Sequence, residues 1–228
     1  MPAVDVIIPA YNEENSIARV IGDIDRNLVR EVVVVDNNSK DGTGRMAQDA
    51  GAMVLKELKQ GYGAACLKGM EYIKSKPSAP DIIVFLDADY SDHPEEMQRL
   101  VERITRDDVD LVIGSRALGN RERGSMTVPQ VFGNWLATRM VRWIYGTKFT
   151  DLGPFRAVKW NKLLELNMSD HTYGWTVEMQ LKAAKQKLKC AEVPVSYRKR
   201  IGVSKISGTV KGTLMAGYKI ITTIIKYA

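Results

Sequence analysis

The densest chemistry in the sequence is Asp87-Ala88-Asp89, where an apolar run gives way to Tyr90-Ser91-Asp92-His93-Pro94. Carboxylates two residues apart on extended chain point to the same side, so both can face one hard divalent cation through oxygen. A cation held there bridges a diphosphate and neutralises charge on the leaving group. The alternative is local: Asp89 and Asp92 cap the helix that begins near Pro94. The glycine and terminal glutamate of an EF-hand loop are missing. Two other apolar runs also end in polar groups. One closes with Pro9-Ala10-Tyr11-Asn12-Glu13 and the other with Asp36-Asn37-Asn38-Ser39-Lys40-Asp41-Gly42-Thr43. Asp36 is placed to accept from a ribose hydroxyl or a base N–H, although Asn37 and Asn38 also suit a turn, as Asp41-Gly42 does. Gly61-Tyr62-Gly63 opens a helix whose free N–H groups suit a phosphate. It is not a dinucleotide fingerprint, because Cys66 stands where the third glycine belongs, and no Walker lysine motif occurs.

The elements that must position these groups alternate. Val4–Pro9, Glu31–Asp36, Ala52–Leu55, Asp81–Asp87 and Asp110–Gly114 are short runs rich in Val, Ile and Leu. Runs apolar on both faces are strands covered on both sides. Helical patterns fill the gaps at 15–28, 43–50, 63–75 and 94–106, the last with Pro94 in its first turn. The spacing predicts an α/β fold, a doubly wound and mostly parallel sheet with helices on both faces, binding ligands at the C-terminal strand ends. Beyond residue 115 the pattern predicts helices at 131–146 and 174–187, an edge strand at 191–197 around Pro194, and a basic amphipathic helix at 207–226.

Several segments together carry a resemblance. They are VIIPAYNEE (6–14), VVVDNNSKDGT (33–43), KQGYGAACLKGM (59–70), FLDADYSDHPEEM (85–97), VIGSRALG (112–119), DLGPFRA (151–157), TYGWTVEMQ (172–180) and YRKRIGVSKISG (197–208). The sequence resembles the family 2 glycosyltransferases of the GT-A fold, and within them the polyprenyl-phosphate and dolichyl-phosphate hexose synthases, over nearly its whole length. The resemblance implies one GT-A domain over 1–228: a nucleotide-sugar-binding half (1–115), an acceptor-binding half (116–206) and an amphipathic C-terminal helix (207–228). It implies that Pro9, Ala10, Tyr11, Glu13 and Asp36 hold the nucleoside, with Lys59 and Gly63 near it. Asp87, Ala88 and Asp89 would engage the donor diphosphate, and Asp87 and Asp89 would bind Mg²⁺ or Mn²⁺. Ser91 stands where relatives place a metal-assisting glutamine. Arg116 and Arg200 correspond to arginines near the acceptor phosphate, with Ser204 and Lys205 on the flanking loop. The implied activity is inverting transfer of a hexose from a nucleotide sugar, UDP-glucose ahead of GDP-mannose, to a polyprenyl phosphate.

Elementary chemistry agrees. A lipid monophosphate is already an anionic nucleophile, so its enzyme needs positioning cations such as Arg116 and Arg200 rather than a base; the alternative for both arginines is surface salt bridging. A hydroxyl acceptor would need a carboxylate base, for which Glu178 and Asp151 are the candidates. Glu178 can equally hydrogen-bond a loop. A non-catalytic nucleotide-sugar-binding module is disfavoured by the intact Asp87 and Asp89.

Composition sets the outer limits. The chain has 228 residues, 45% apolar and 26% charged, which excludes disordered and collagen-like classes. Cys66 and Cys190 lie far apart and form no disulfide framework, as in a reducing cytoplasmic setting. Residues 182–228 carry 11 Lys and Arg against Glu192 alone, while the preceding 181 carry 22 against 26 Asp and Glu. Such a basic end suits an anionic surface, and with lysines bordering an Ile/Leu/Tyr face it predicts peripheral attachment to the inner face of a membrane. Trp135, Trp143, Trp160 and Trp175 are expected in the core or a lipid groove, and no nucleic-acid-binding motif occurs. Neither His93 nor His171 has a partner at metal-ligand spacing.

Overall fold

Alternate residues of the Val- and Ile-rich runs enter opposite cores. In the first strand, β1 (Val4–Ala10), Val4, Val6, Ile8 and Ala10 belong to one apolar cluster and Ile7 to the other. In β2 (Glu31–Asp36), Val32 and Val34 face the first cluster, and Val33 and Val35 the second. The period of two is the pleat itself. With β3 (Met53–Lys56), β4 (Ile82–Phe85), β5 (Leu111–Ser115), β6 (Arg156–Lys159) and β7 (Cys190–Pro194), they make one sheet in the order β3-β2-β1-β4-β6-β5-β7. The computed structural model describes residues 1–202 and 210–227.

All strands run parallel except β6, which pairs antiparallel with both β4 and β5. The helices α1 (Ile17–Gly22), α2 (Thr43–Asp49) and α4 (Met97–Asp107) cover the first face. The second is covered by α3 (Tyr62–Lys74), α5 (Val128–Tyr145), α6 (Trp160–Glu165), α7 (Trp175–Lys185) and α8 (Val210–Tyr227). Here Phe85 meets Trp175 edge to face at 5.8 Å, a pair that contributes about 1 kcal/mol beyond its area. The doubly wound sheet is therefore as expected.

Three details differ from the sequence reading. The first helix stops at Gly22 rather than 28, because Asp25 turns the chain by accepting from Asn27 N, while Ile24 and Leu28 still pack on the core. The strand β6 has no counterpart among the predicted elements, since Gly153 and Pro154 precede it and a charged residue opens it. Arg156 is fully buried and satisfied by the carbonyls of Leu152, Gly153 and Thr176. Burial pushes its guanidinium down to about 10. Trp160 and Trp175 are core residues, whereas Trp135 and Trp143 stand in the open. Among the described residues, no helix is long and apolar enough to cross a membrane.

Candidate active site

Parallel pairing brings the C-terminal ends of β1, β2 and β4 to one edge, where they open on a cavity of about 360 Å³. Of the residues expected there, Pro9, Ala10, Tyr11, Glu13, Asp87, Ala88, Asp89 and Arg200 line it. Gln60 and Tyr173 line it too, as do Asn37 and Tyr62, which the sequence places only in a turn and at a helix start. Asn37 shapes the wall: its amide donates to the carbonyls of Glu57 and Lys59, and its oxygen accepts from Gly61 N at 2.7 Å. An asparagine directly after a strand-end aspartate was the available signal.

The acidic pair sits in a strained turn. Tyr90, directly after Asp89, has φ +64°, a conformation unfavourable for an aromatic residue. Arg198 holds it there, with its guanidinium 3.4 Å from the Tyr90 ring centroid and its Nε donating to the Tyr90 carbonyl at 2.7 Å. Backbone bonds from Arg198 N to Ser91 O and from Ile201 N to Asp89 O fasten 198–201 along the same loop. This ladder delivers Arg200, whose Nη2 lies 2.7 Å from Asp89 Oδ2.

Electrostatics single out the carboxylates. Burial and the charge of Asp89 push the Asp87 carboxyl up to about 7, against the opposing pull of Arg200, Tyr62 and Arg116. Asp87 Oδ1 is buried and unpaired, and so are both carboxylate oxygens of Asp92. Burial and neighbouring Asp87 push Asp92 well above the usual carboxylate range. Asp92 caps no helix: the residues before the 3₁₀ turn Pro94–Glu96 and before α4 make no side-chain cap bond. Unpaired buried carboxylate oxygens call for a cation or a proton. Two carboxylates suffice for Mg²⁺ or Mn²⁺, which complete their shells with phosphate and water. The donor set thus fits a divalent ion, even though the described residues contain no cluster of three or more His, Cys, Asp or Glu placed to hold one. Ser91, expected to assist the metal, donates through its N and Oγ to Asp89 Oδ1, at 2.9 and 2.5 Å, and so orients the aspartate.

Arg116 follows β5 and is fixed by Asp151, which accepts from its backbone N and Nε on one oxygen and from Nη2 on the other. The guanidinium lies 5.0 Å from the Tyr197 ring centroid. Burial would raise the Asp151 carboxyl, yet Arg116 holds it below the usual range. A second cavity of about 280 Å³ contains Arg116 and Arg200 together and shares Tyr62, Asp87 and Tyr173 with the first. It continues between α5 and α8 past Gly133, Leu152, Gly217 and Ile220.

Other expectations are revised. Gly63 serves packing, because its N and that of Ala64 donate to the carbonyls of Thr172 and His171, leaving no open phosphate cradle there. A Cβ on Gly63 would lie 1.9 Å from the Asp170 carbonyl oxygen. Gly63→Ala is therefore expected to lower stability by about 2 kcal/mol, read as an earlier denaturation midpoint. Lys59 is exposed and joins the site only through its backbone carbonyl. Asp36 ends β2 with Oδ1 taken by Ser39 N, outside the cavity lining. Ser204 and Lys205 lie outside the described residues.

Glu178 and Asp151, the candidate bases for a hydroxyl acceptor, are both engaged by fixed partners. Glu178 is fully buried and accepts from Ser169 N and Oγ, Asp170 N and Tyr227 Oη, with Lys182 Nζ at 2.8 Å. Burial would raise its carboxyl, but Lys182 and these donors hold it down at about 2. Such a group is a strut for the 169–174 loop, and it lines neither cavity described above. Asp151 is committed to Arg116 in the same way.

Residues 5–164 match the family described as Glycosyl transferase family 2. The chain belongs to that family. This glycosyltransferase is 32% identical over 219 residues to an undecaprenyl-phosphate mannosyltransferase of Micrococcus luteus, covering 90% of this chain and 88% of the relative. It is 31% identical over 208 residues to a dolichyl-phosphate hexose transferase of Haloferax volcanii, covering 88% and 85%. In structure it is similar to glucosyl-3-phosphoglycerate synthase from Mycobacterium tuberculosis, crystallised with Mn²⁺, UDP-glucose and phosphoglyceric acid. The TM-score is 0.75 at 23% identity, over 99% of this chain and 79% of that one. The fold of this family 2 glycosyltransferase is GT-A.

Proposed function

We propose that this glycosyltransferase moves a hexose from a nucleotide sugar to a polyprenyl phosphate, with inversion at the sugar. One observation carries the reading: Arg116 and Arg200 share a cavity that joins the Asp87/Asp89 end to a groove between α5 and α8. Arginines clamp phosphate oxygens in fixed geometry, and an apolar groove accommodates a chain. The relatives named for undecaprenyl-phosphate mannosyl and dolichyl-phosphate hexose transfer support the same acceptor class.

In this reading the first half of the chain, 1–115, supplies the donor wall of Pro9, Ala10, Tyr11, Glu13 and Asn37. The segment 116–206 supplies the acceptor arginines. Asp87 and Asp89 would hold Mg²⁺ or Mn²⁺, which when bound neutralises charge on the nucleoside diphosphate. Arg116 and Arg200 orient the acceptor phosphate so that one oxygen attacks the anomeric carbon. The carbon–oxygen bond to the diphosphate breaks, and the nucleoside diphosphate leaves with that electron pair. No proton need be removed from the nucleophile, in accord with the fixed partners of Glu178 and Asp151. The outward apolar residues of α8, Tyr218, Ile221 and Ile225, are positioned for the peripheral membrane contact that a lipid acceptor requires.

The test is transfer of labelled sugar from UDP-glucose and GDP-mannose to a short polyprenyl phosphate or to its free alcohol, with Mn²⁺. The expected product forms on the phosphate alone, with UDP-glucose the preferred donor. Arg200→Ala is expected to lower kcat/KM by about 10²-fold, near 2.7 kcal/mol. Equal product on the alcohol would overturn the acceptor assignment.

A further inference from the structure

Tyr62, Asp87, Tyr173 and Arg200 line both the donor-side cavity and the cavity of the paired arginines. They ring the passage between the two. A sugar handed from one cavity to the other has its anomeric carbon in this passage, between the leaving diphosphate oxygen and the attacking acceptor oxygen. The hydroxyls of the hexose therefore meet whatever the ring offers. Two of its members are committed elsewhere: Arg200 Nη2 lies 2.7 Å from Asp89 Oδ2, and Asp87 belongs to the acidic pair.

Tyr62 differs from them. It opens α3 and packs on the second core, and its hydroxyl oxygen is buried beside Asp87. Among the described residues that oxygen has no hydrogen-bond partner. A buried phenol ordinarily finds one. The backbone around it is clamped on both sides. Gly61 has φ +147°, and a Cβ there would lie 2.1 Å from the His171 carbonyl oxygen. The N–H groups of Gly63 and Ala64 donate to the carbonyls of Thr172 and His171 at 3.2 and 2.9 Å. The hydroxyl is thus held in place for a partner that arrives with the substrate, at little cost in ordering.

We propose that Tyr62 is a specificity-determining residue, donating its hydroxyl proton to one hydroxyl oxygen of the transferred hexose. A donor fixed in this way reads a single position of the sugar ring, because an epimer turns that hydroxyl elsewhere. The inference rests on the donor half of the reading above and not on the acceptor, so product on a polyprenyl alcohol would leave it standing. The competing arrangement is a hydrogen bond from Tyr62 to Asp87, in which the hydroxyl serves the diphosphate end of the donor instead of the sugar.

The experiment is calorimetric titration of UDP, GDP, UDP-glucose and GDP-mannose into the full chain and its Tyr62→Phe variant, with Mn²⁺ and without acceptor. The sugar nucleotide that the wild type binds is expected to bind about tenfold more weakly to the variant, while the matching nucleoside diphosphate keeps its affinity. Among the single-deoxy analogues of that donor, one should lose about tenfold on the wild type and then bind both proteins alike. Removing an unsatisfied hydroxyl should leave the melting temperature of the free protein unchanged or slightly higher. Equal weakening of diphosphate and sugar nucleotide would overturn the proposal in favour of the bond to Asp87. Deoxy analogues that all lose as much on the variant as on the wild type would overturn it, as would a lower melting temperature for the free variant. Failure of the wild type to bind any of the four nucleotides would overturn the donor reading and this inference with it.

Discussion

Asp89→Asn is expected to lower kcat/KM for sugar transfer by about 10³-fold or more, near 4 kcal/mol of transition-state stabilisation. The substitution keeps the side-chain shape, and an amide oxygen can still accept from Ser91 N and Oγ, which hold Asp89 Oδ1 in the wild type. What it removes is the negative charge facing Arg200 and, in the proposed complex, the donor's divalent ion. The melting temperature should therefore change little, while the extra stabilisation by UDP with Mn²⁺ over UDP alone should disappear. Calorimetry with and without Mn²⁺ separates this loss from loss of fold. A variant that keeps more than about a tenth of wild-type activity would show that Asp89 does not carry the diphosphate chemistry.

Glu178→Gln is expected to act on stability rather than on chemistry. The native carboxyl is held at about 2, from an ordinary value of 4.5, by Lys182, Tyr227 and the 169–170 segment. Its contribution is at most about 3 kcal/mol, because a tenfold change in acidity between the folded and unfolded chain is worth about 1.4 kcal/mol. For a carboxylate lowered by folding, that contribution is complete above about pH 4.5 and is lost as pH falls toward 2. The variant should melt about 8 °C lower at neutral pH, and the difference should shrink with acidification across that window. Activity per folded molecule should stay near wild type. A general base would show the reverse: a loss of about 10²-fold or more in kcat with an unchanged melting temperature.

The two variants mark where sequence was legible and where it was not. β1, β2 and β4 could be read because both faces of each are buried, which forces runs rich in Val and Ile, broken in β1 by Asp5, whose buried carboxylate is paired with Arg30. The acidic pair could be read because it ends such a run. β6 could not, because the buried group that opens it is Arg156, satisfied by carbonyls that only the folded loop supplies. Gly61 and Gly63 look alike whether glycine admits a phosphate or a neighbouring backbone, and contact with 170–172 decides for backbone. Ser91 and Asp92 depart from expectation for a related reason. The hydroxyl turns back onto Asp89, and the carboxylate assigned a capping role lies buried without a partner. Tyr173 and Gln60 stand on loops, where no periodicity marks the side chain that turns into a cavity.

The ladder between the acidic loop and residues 198–201 also sets the order in which this enzyme can come into being. The Arg198 bond that props Tyr90 spans 108 residues of chain. During synthesis at about 5–20 residues per second, the acidic loop leaves the ribosome about 5–20 s before the arginine that completes it. The β1–β4 nucleus can pair in that interval, and the turn at Tyr90 is then held by the bond from its hydroxyl to Asp23 but lacks the Arg198 bond to its carbonyl. If Asp89 and Arg200 act as proposed, catalytic competence is a late event in folding, reached only after β7 closes the far edge of the sheet. A nascent chain carrying the whole donor wall would still be silent.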